Sequence, residues 1–91
     1  MTAKRVIFEG RVQGVGFRHT VHEAAKGFDV TGWMKNLADG SVELVACGDA
    51  VEIGEFIREI VEESPVARHV HRHVVETIAL DEAPRGFRIL K

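Results

Sequence analysis

The stretch GRVQGVGFR, residues 10–18, places three glycines and two arginines within nine positions. Gly14 and Gly16 allow positive φ, and a ligand can approach their backbone because no Cβ stands in the way. If a helix begins here, its first N–H groups lack internal acceptors and carry the positive end of the helix dipole. Arg18 adds a permanent cation whose planar fork matches phosphate oxygens. The stretch therefore predicts a site for a phosphate-like anion, and a turn that only redirects the chain is the alternative.

Two familiar nucleotide-binding motifs do not fit this stretch. A dinucleotide fingerprint that starts at Gly14 needs a third glycine where the chain has His19. A Walker loop needs four residues between two glycines, followed by lysine and a hydroxyl residue, and the chain contains no such segment. The glycines therefore predict neither of these two loops.

Asn36 is the only asparagine of the chain and lies shortly before the dipeptide Asp39-Gly40. An asparagine in this position commonly helps to form a turn. Its side-chain amide could also orient a water molecule, although an amide cannot take a proton from that water. The residue types alone leave both roles open.

The histidines are candidate metal ligands or surface residues. His69, His71 and His73 alternate, so on a strand they would share one face and could hold zinc. At strand spacing the first and the third lie about 14 Å apart. We therefore expect an exposed edge strand whose partly protonated side chains discourage sheet pairing, and no metal site. His19 and His22 are expected on the surface of the first helix.

The composition is that of a small folded protein. Ninety-one residues, 45% hydrophobic and 29% charged, predict one domain over residues 1–91. The net charge of −2 gives no basic field for nucleic acid. Cys47 has no partner for a disulfide and is expected to be packed. No segment resembles a signal peptide or a membrane span, so we expect a cytoplasmic protein that binds neither nucleic acid nor membrane.

Hydrophobic periodicity predicts the elements that would position these residues. Residues 5–12, RVIFEGRV, alternate with a period of two and indicate a strand. From Phe17 to Phe28, apolar residues recur at helical spacing, which predicts an amphipathic helix that ends near Gly27 and Asp29. Two further strands follow, VTGWMKNL and SVELVAC, joined by a hairpin at Asp39-Gly40, a strong hairpin signal.

In the second half of the chain the apolar residues again change between helical spacing and the strand period of two. Asp49 is the predicted N-cap of a second helix, with Glu52 three residues later as in a capping box. Ser64-Pro65 ends that helix, residues 66–78 alternate as a strand, and a short strand, GFRIL, ends the chain.

The order of these elements predicts an α+β fold. It corresponds to a ferredoxin-like βαββαβ sandwich, with an antiparallel sheet, two helices on one face and an added short C-terminal strand. In this arrangement the first strand-to-helix turn and the hairpin after the second strand can lie near one another.

Two stretches together, GRVQGVGFR and GWMKNLADGSVE, resemble the two signatures of the acylphosphatase family in form, order and separation. The resemblance extends over essentially the whole chain. It implies a small monomeric hydrolase of carboxylic-phosphoric anhydrides such as acetyl phosphate, carbamoyl phosphate or 1,3-bisphosphoglycerate. It also implies that Arg18 grips the phosphate and that Asn36 positions the attacking water. The phosphate cradle that it implies consists of the backbone of Gly14, Val15, Gly16, Phe17 and Arg18.

Elementary chemistry supports such a reaction with few catalytic groups. A carboxylate leaving group has a pKa near 4 and can depart without a general acid. The remaining tasks are to hold the phosphoryl group, offset its charge and place one water in line. No cofactor is needed, inorganic phosphate is the expected product, and the proton of the water passes to a phosphate oxygen or to solvent.

Two other functions use the same residues. A non-catalytic module could bind phosphate or an acyl phosphate without turnover. A domain of this kind could also handle carbamoyl phosphate within a larger maturation machine, which we do not expect because the chain carries no appended domain.

Overall fold

The computed structural model describes residues 1–90 of the chain. Within this range the elements follow in the order β1 (Thr2–Gly10), α1 (Phe17–Ala25), β2 (Val30–Asn36), β3 (Val42–Gly48), α2 (Ala50–Arg58), β4 (Val70–Ile78) and β5 (Phe87–Leu90). Between α2 and β4 the chain forms a π-helical turn over Glu59–Glu63 and a 3-10 turn over Ala67–His69.

The five strands form one sheet in the order β4, β1, β3, β2, β5. Neighbouring strands pair antiparallel except for β5, which runs parallel to β2 and makes the sheet mixed. The predicted α+β ferredoxin-like arrangement with an added C-terminal strand is confirmed. The parallel pairing was not predicted, because the pattern of GFRIL indicates a strand but contains no signal for its partner or direction.

Both helices pack on the same face of the sheet, as predicted. The residues that they bury at helical spacing are Phe17, Val21, Ala25, Ile53, Phe56 and Ile57. In the sheet, the same apolar cluster includes Val6, Phe8, Met34 and Leu44. Burial of apolar surface is the dominant favourable term in folding, and this cluster is the larger of the two that the sheet helps to bury.

The opposite face of the sheet carries a smaller apolar cluster around Ala3, Val45 and Cys47. Cys47 is buried, and this burial raises the pKa of its thiol. The expectation that Cys47 is a packed residue is confirmed. Burial therefore disfavours the thiolate, which is the reactive form of cysteine.

Helix α1 ends earlier than predicted, at Ala25 rather than near Gly27 and Asp29. The N–H groups of Lys26, Gly27 and Phe28 donate to carbonyls three residues before them, so the chain tightens into 3-10 geometry. Phe28 leaves the helix in this way, and its ring packs against Phe56 with the ring centroids 5.5 Å apart. Periodicity could not show this end, because Phe28 contacts the core from outside the helix.

Asp49 is the N-cap of helix α2, as predicted, but the capping box is incomplete. The Asp49 carboxylate accepts a hydrogen bond from the N–H of Val51 at 3.0 Å. Glu52 accepts instead from the N–H of Asp29, with 2.8 Å between Oε1 and N. Glu52 thus joins the start of α2 to the segment that follows α1.

The strand predicted over residues 66–78 begins only at Val70. The N–H groups of Ala67 and His69 donate to carbonyls three residues earlier, which forms the 3-10 turn before the strand. His69 therefore lies outside β4, and its carbonyl accepts from the N–H of Arg11 at 3.0 Å. Alternation of residue types extended the predicted strand too far, because this turn happens to continue the pattern.

Strands β1 and β2 run in the same direction, because each pairs antiparallel with β3 between them. Their C-terminal ends therefore lie at the same end of the sheet. Phe8, Val42 and Asn36 stand in one row across the three strands. The connection from β1 into α1 and the hairpin from β2 into β3 thus emerge side by side, as the predicted fold requires.

Candidate active site

The loop between β1 and α1 bends through two glycines in the left-handed region. Gly14 and Gly16 both have φ of +79°, and Gly16 is the N-cap of α1. A Cβ on either glycine would meet no heavy atom within 4 Å. Glycine is therefore favoured here by the backbone conformation and not by the available space.

The N–H groups of residues 14–18 have no hydrogen-bond acceptor within residues 1–90. The N-cap residue Gly16 provides no side-chain cap, and the first turn of α1 contains no acidic residue. Five successive donors at the positive end of a helix dipole are thus open to an anion.

Arg18 lies in the first turn of α1, beside these donors. Its Nη1 donates to the carbonyl of Leu90 in β5 at 2.9 Å. A guanidinium has five N–H donors, so this bond leaves most of them for a ligand. The C-terminal strand thereby holds the Arg18 side chain at the mouth of the loop.

Asn36 is the last residue of β2. It lies on the face of the sheet that packs against the helices, the same face as the core residue Met34 two positions earlier. Its Oδ1 is the one buried side-chain N or O atom without a hydrogen-bond partner in the described part of the chain. A buried polar atom normally has a partner, because leaving it unpaired costs free energy. The amide of Asn36 is therefore available to a bound water or ligand.

One pocket of about 240 Å³ brings these groups together. Its lining consists of Val12, Gln13, Gly14, Gly16, Phe17, Arg18, His19, Asn36 and Ile89. Of the residues predicted for the site, only Val15 is missing from this lining, and its side chain is 38% exposed. The ring of Phe17 is buried against Phe8, so Phe17 anchors the loop and offers only its backbone. No carboxylate lines the pocket, which suits an anion.

The hairpin beside the pocket is held by Asp39. Its Oδ1 accepts from the N–H of Ser41 at 2.9 Å and from the Ser41 hydroxyl. These bonds lower the pKa of Asp39. The predicted hairpin is confirmed, with positive φ at Gly40 alone. Because Asp39 accepts both bonds in its charged form, the turn next to Asn36 is most rigid when this carboxylate is ionised.

Sequence reasoning did not assign three residues of this region. Gln13 lies in the glycine stretch and was assigned no role from its sequence, yet its amide donates to the hairpin carbonyls of Leu37 and Ser41. Ile89 lines the pocket and Leu90 accepts from Arg18. Only the parallel pairing of β5 with β2 brings the last two here, and no local signal in the sequence specified that pairing.

The two helix histidines differ from each other. His19 is exposed, as expected, and lines the pocket. His22 is half-buried, with Nε2 3.0 Å from the carbonyl of Phe87 and its ring against the Phe87 ring. The expectation of a surface residue is wrong for His22, which joins α1 to β5.

The three alternating histidines, His69, His71 and His73, do not all lie on one strand. His71 and His73 lie on β4, an exposed edge strand as predicted, whereas His69 belongs to the 3-10 turn. No group of three or more potential metal ligands occurs within residues 1–90.

A larger groove of about 520 Å³ lies between the end of α1 and the helical segment after Asp49. Its lining residues are Phe28, Glu55, Arg58, Glu59 and Glu63. Three carboxylates repel an anionic ligand, so this groove is not a candidate for phosphate binding.

Comparisons with known proteins decide the family. The sequence model described as Acylphosphatase matches residues 4–89. The chain belongs to the acylphosphatase family. A protein of Chlorobaculum tepidum named Acylphosphatase is 45% identical over 92 residues, which cover 99% of each chain. The resemblance seen in the two signatures and the assignment as an acylphosphatase enzyme are therefore confirmed.

Solved structures agree with this assignment. The crystal structure of acylphosphatase from Bacillus subtilis has a TM-score of 0.87 at 36% identity and covers 100% of both chains. Full-length HypF, in a phosphate- and nucleotide-bound form, contains a similar unit with a TM-score of 0.84 at 28% identity. That match covers 99% of this chain and 12% of HypF. Both helices between residues 1 and 90 are too short to cross a membrane.

Proposed function

We propose that this acylphosphatase hydrolyses acyl phosphates to a carboxylate and inorganic phosphate in the pocket between the glycine loop and Asn36. The observation that carries the proposal is the meeting of two kinds of group in one pocket. Arg18 and the N–H groups of the glycine loop supply positive potential, and the Oδ1 atom of Asn36, which has no partner within residues 1–90, belongs to the same pocket lining. Membership of the acylphosphatase family supports the same reaction.

The backbone of residues 14–18 and the guanidinium of Arg18 bind the phosphoryl group in this proposal. Charge-assisted hydrogen bonds from N–H donors to phosphate oxygens are short and strong. As the bond to the leaving group breaks, charge is spread over the phosphoryl oxygens, and the fixed donors stabilise it without reorganising. Successive N–H groups around left-handed residues commonly form a concave anion site, and Gly14 and Gly16 both have φ of +79°.

Asn36 positions the attacking water. Its buried Oδ1, which lacks a partner in the described chain, can accept a hydrogen bond from that water. An amide does not act as a base near neutral pH, so the water's proton passes to a phosphate oxygen or to solvent. Placement in line with the leaving group is then the main contribution of Asn36.

The reaction needs no general acid and no metal ion. A carboxylate with a pKa near 4 leaves without protonation. Arg18 and the loop donors already supply the charge that a cation would add, and the pocket lining offers no carboxylate as a magnesium ligand. We further propose that residues 1–91 form one domain that works as a monomer in the cytoplasm, apart from nucleic acid and membranes.

Turnover separates this proposal from a module that only binds acyl phosphates. We expect the purified protein to release phosphate from acetyl phosphate in excess EDTA, and Arg18→Gln to release it at least about 100-fold more slowly. A protein that binds phosphate without releasing any from acetyl phosphate would be a binding module. A rate that EDTA abolishes and zinc or magnesium restores would contradict the metal-free reaction.

A further inference from the structure

Gln13 is the only glutamine of the chain, and it connects the glycine loop to the hairpin after β2. Its Nε2 donates to the carbonyl of Leu37 at 2.8 Å and to the carbonyl of Ser41 at 2.9 Å. Both hydrogens of the amide are used, so the side chain is held in one orientation. A half-buried position protects these bonds from competition with water.

The two acceptors are the carbonyls that close the hairpin. The N–H of Leu37 donates to the Ser41 carbonyl at 2.9 Å, and the N–H of Gly40 donates to the Leu37 carbonyl at 3.2 Å. Gln13 therefore binds the closed end of the hairpin as a unit. The hairpin carbonyls also keep backbone partners if the Gln13 amide is removed, so the turn itself does not depend on Gln13.

Gln13 is also the sole hydrogen-bonded link between these two segments. Within residues 1–90, no other hydrogen bond joins residues 11–16 to residues 36–41. Gln13 immediately precedes Gly14, and Leu37 immediately follows Asn36. The link therefore stands one residue away from each of the two groups that must cooperate.

We infer that Gln13 is a positioning residue that sets the distance between the phosphate-binding loop and Asn36. This inference rests on the proposed function, in which the loop holds the phosphoryl group and Asn36 holds the attacking water. Gln13 touches neither in this role. Through the hairpin it fixes the line along which the water approaches phosphorus.

Loss of the link should change the rate of the chemical step and not the affinity for phosphate. The N–H donors of the loop and Arg18 remain in place without the amide of Gln13, so KM and the affinity for inorganic phosphate should stay within about twofold. A displacement of about 1 Å between water and phosphorus can cost a factor of 100 in rate. We therefore expect a fall in kcat of about 10- to 100-fold.

The test compares Gln13→Met with Asp39→Ala in the full chain, with acetyl phosphate as substrate and inorganic phosphate as the binding probe. Methionine matches the length of glutamine but donates no hydrogen bond. Asp39→Ala removes two bonds from the same hairpin, and neither of them reaches the loop. We expect both variants to lower Tm, and Gln13→Met to lower kcat several-fold more than Asp39→Ala at a similar loss of Tm, with KM unchanged. Gln13→Asn, whose shorter amide cannot reach both carbonyls, should behave like Gln13→Met.

An Asn36→Ala background makes the test specific. If Gln13 acts through Asn36, adding Gln13→Met to Asn36→Ala should lower kcat by less than about twofold, because the interaction that it positions is already gone. The inference would be overturned if the kcat losses of Gln13→Met and Asn36→Ala multiply in the double variant. It would also be overturned if kcat falls only in proportion to the loss of Tm in both Gln13→Met and Asp39→Ala. If Asn36→Ala loses kcat and Gln13→Met does not, this inference alone fails. If Asn36→Ala keeps full kcat, the proposed function fails with it.

Discussion

At the scale of single residues, the anion site has two sources of positive potential, the backbone N–H groups of the loop and the guanidinium of Arg18. Five backbone N–H groups are held by the conformation of the loop, and the guanidinium is held by the carbonyl of Leu90. The first source cannot be removed by changing a side chain. Arg18 is therefore the residue through which the binding task can be tested.

Arg18→Ala should weaken the binding of inorganic phosphate by roughly 1.5–3 kcal/mol, the value of a hydrogen bond to a charged group. The same change should raise KM and lower kcat, because the phosphoryl group needs Arg18 in the ground state and in the transition state. Isothermal titration with phosphate and steady-state kinetics measure the two effects.

Arg88→Ala is the matched control for this change. Arg88 is exposed on β5, opposite Trp33 in the register of β2 and β5, on the face of the sheet away from the pocket. The Arg88→Ala change removes one positive charge near the C-terminus and should leave phosphate affinity unchanged. Equal phosphate affinity in Arg18→Ala and the unchanged protein would place the anion site elsewhere.

At the scale of elements, the site depends on two connections that leave the sheet at the same end. The loop into α1 supplies the donors, and the hairpin after β2 supplies Asn36. Each is rigid for a local reason, two glycines with positive φ in the loop and the Asp39 carboxylate in the hairpin. The hairpin is the connection whose rigidity can be changed by pH.

The hydrogen bonds from Ser41 lower the pKa of Asp39 in the folded protein. A lowered folded pKa means that the contribution to stability is present above the unfolded pKa and is lost as pH falls through the folded pKa. The unfolding free energy should therefore decrease in the acidic range below the ordinary pKa of an aspartate.

The Asp39→Asn variant tests this pH dependence. It keeps an acceptor oxygen but does not titrate in the acidic range, so its unfolding free energy should fall less steeply with acid. Urea unfolding at neutral pH and at several acidic pH values, on both proteins, measures the difference. Identical slopes would show that Asp39 is not held in its charged form by the turn.

At the scale of the whole molecule, the sequence predicted the parts that local periodicity and short motifs encode. The order of elements follows from changes between periods of two and 3.6, and the two signature stretches contain Arg18 and Asn36. Those two residues meet because β1 and β2 both pair with β3, which the predicted fold already required.

The parts that the sequence did not predict depend on tertiary contacts. Phe28 fits the helical stripe yet lies outside α1, where it packs on Phe56. His69 continues an alternating pattern yet lies in a 3-10 turn. The position of β5 brings Ile89 to the pocket and the Leu90 carbonyl to Arg18. A strand of four residues carries no signal for its partner.

The most direct test of the whole account is kcat, KM and Tm of Asn36→Ala, measured beside the unchanged protein with acetyl phosphate. If Asn36 only positions the attacking water, its removal acts mainly on the transition state. We predict a kcat lower by about 100-fold or more, comparable to the loss of one preorganised donor in other enzymes. KM should stay nearly constant, and the folded state should persist at the assay temperature. Full activity in a stably folded Asn36→Ala protein would contradict the water-positioning role and the proposed site with it.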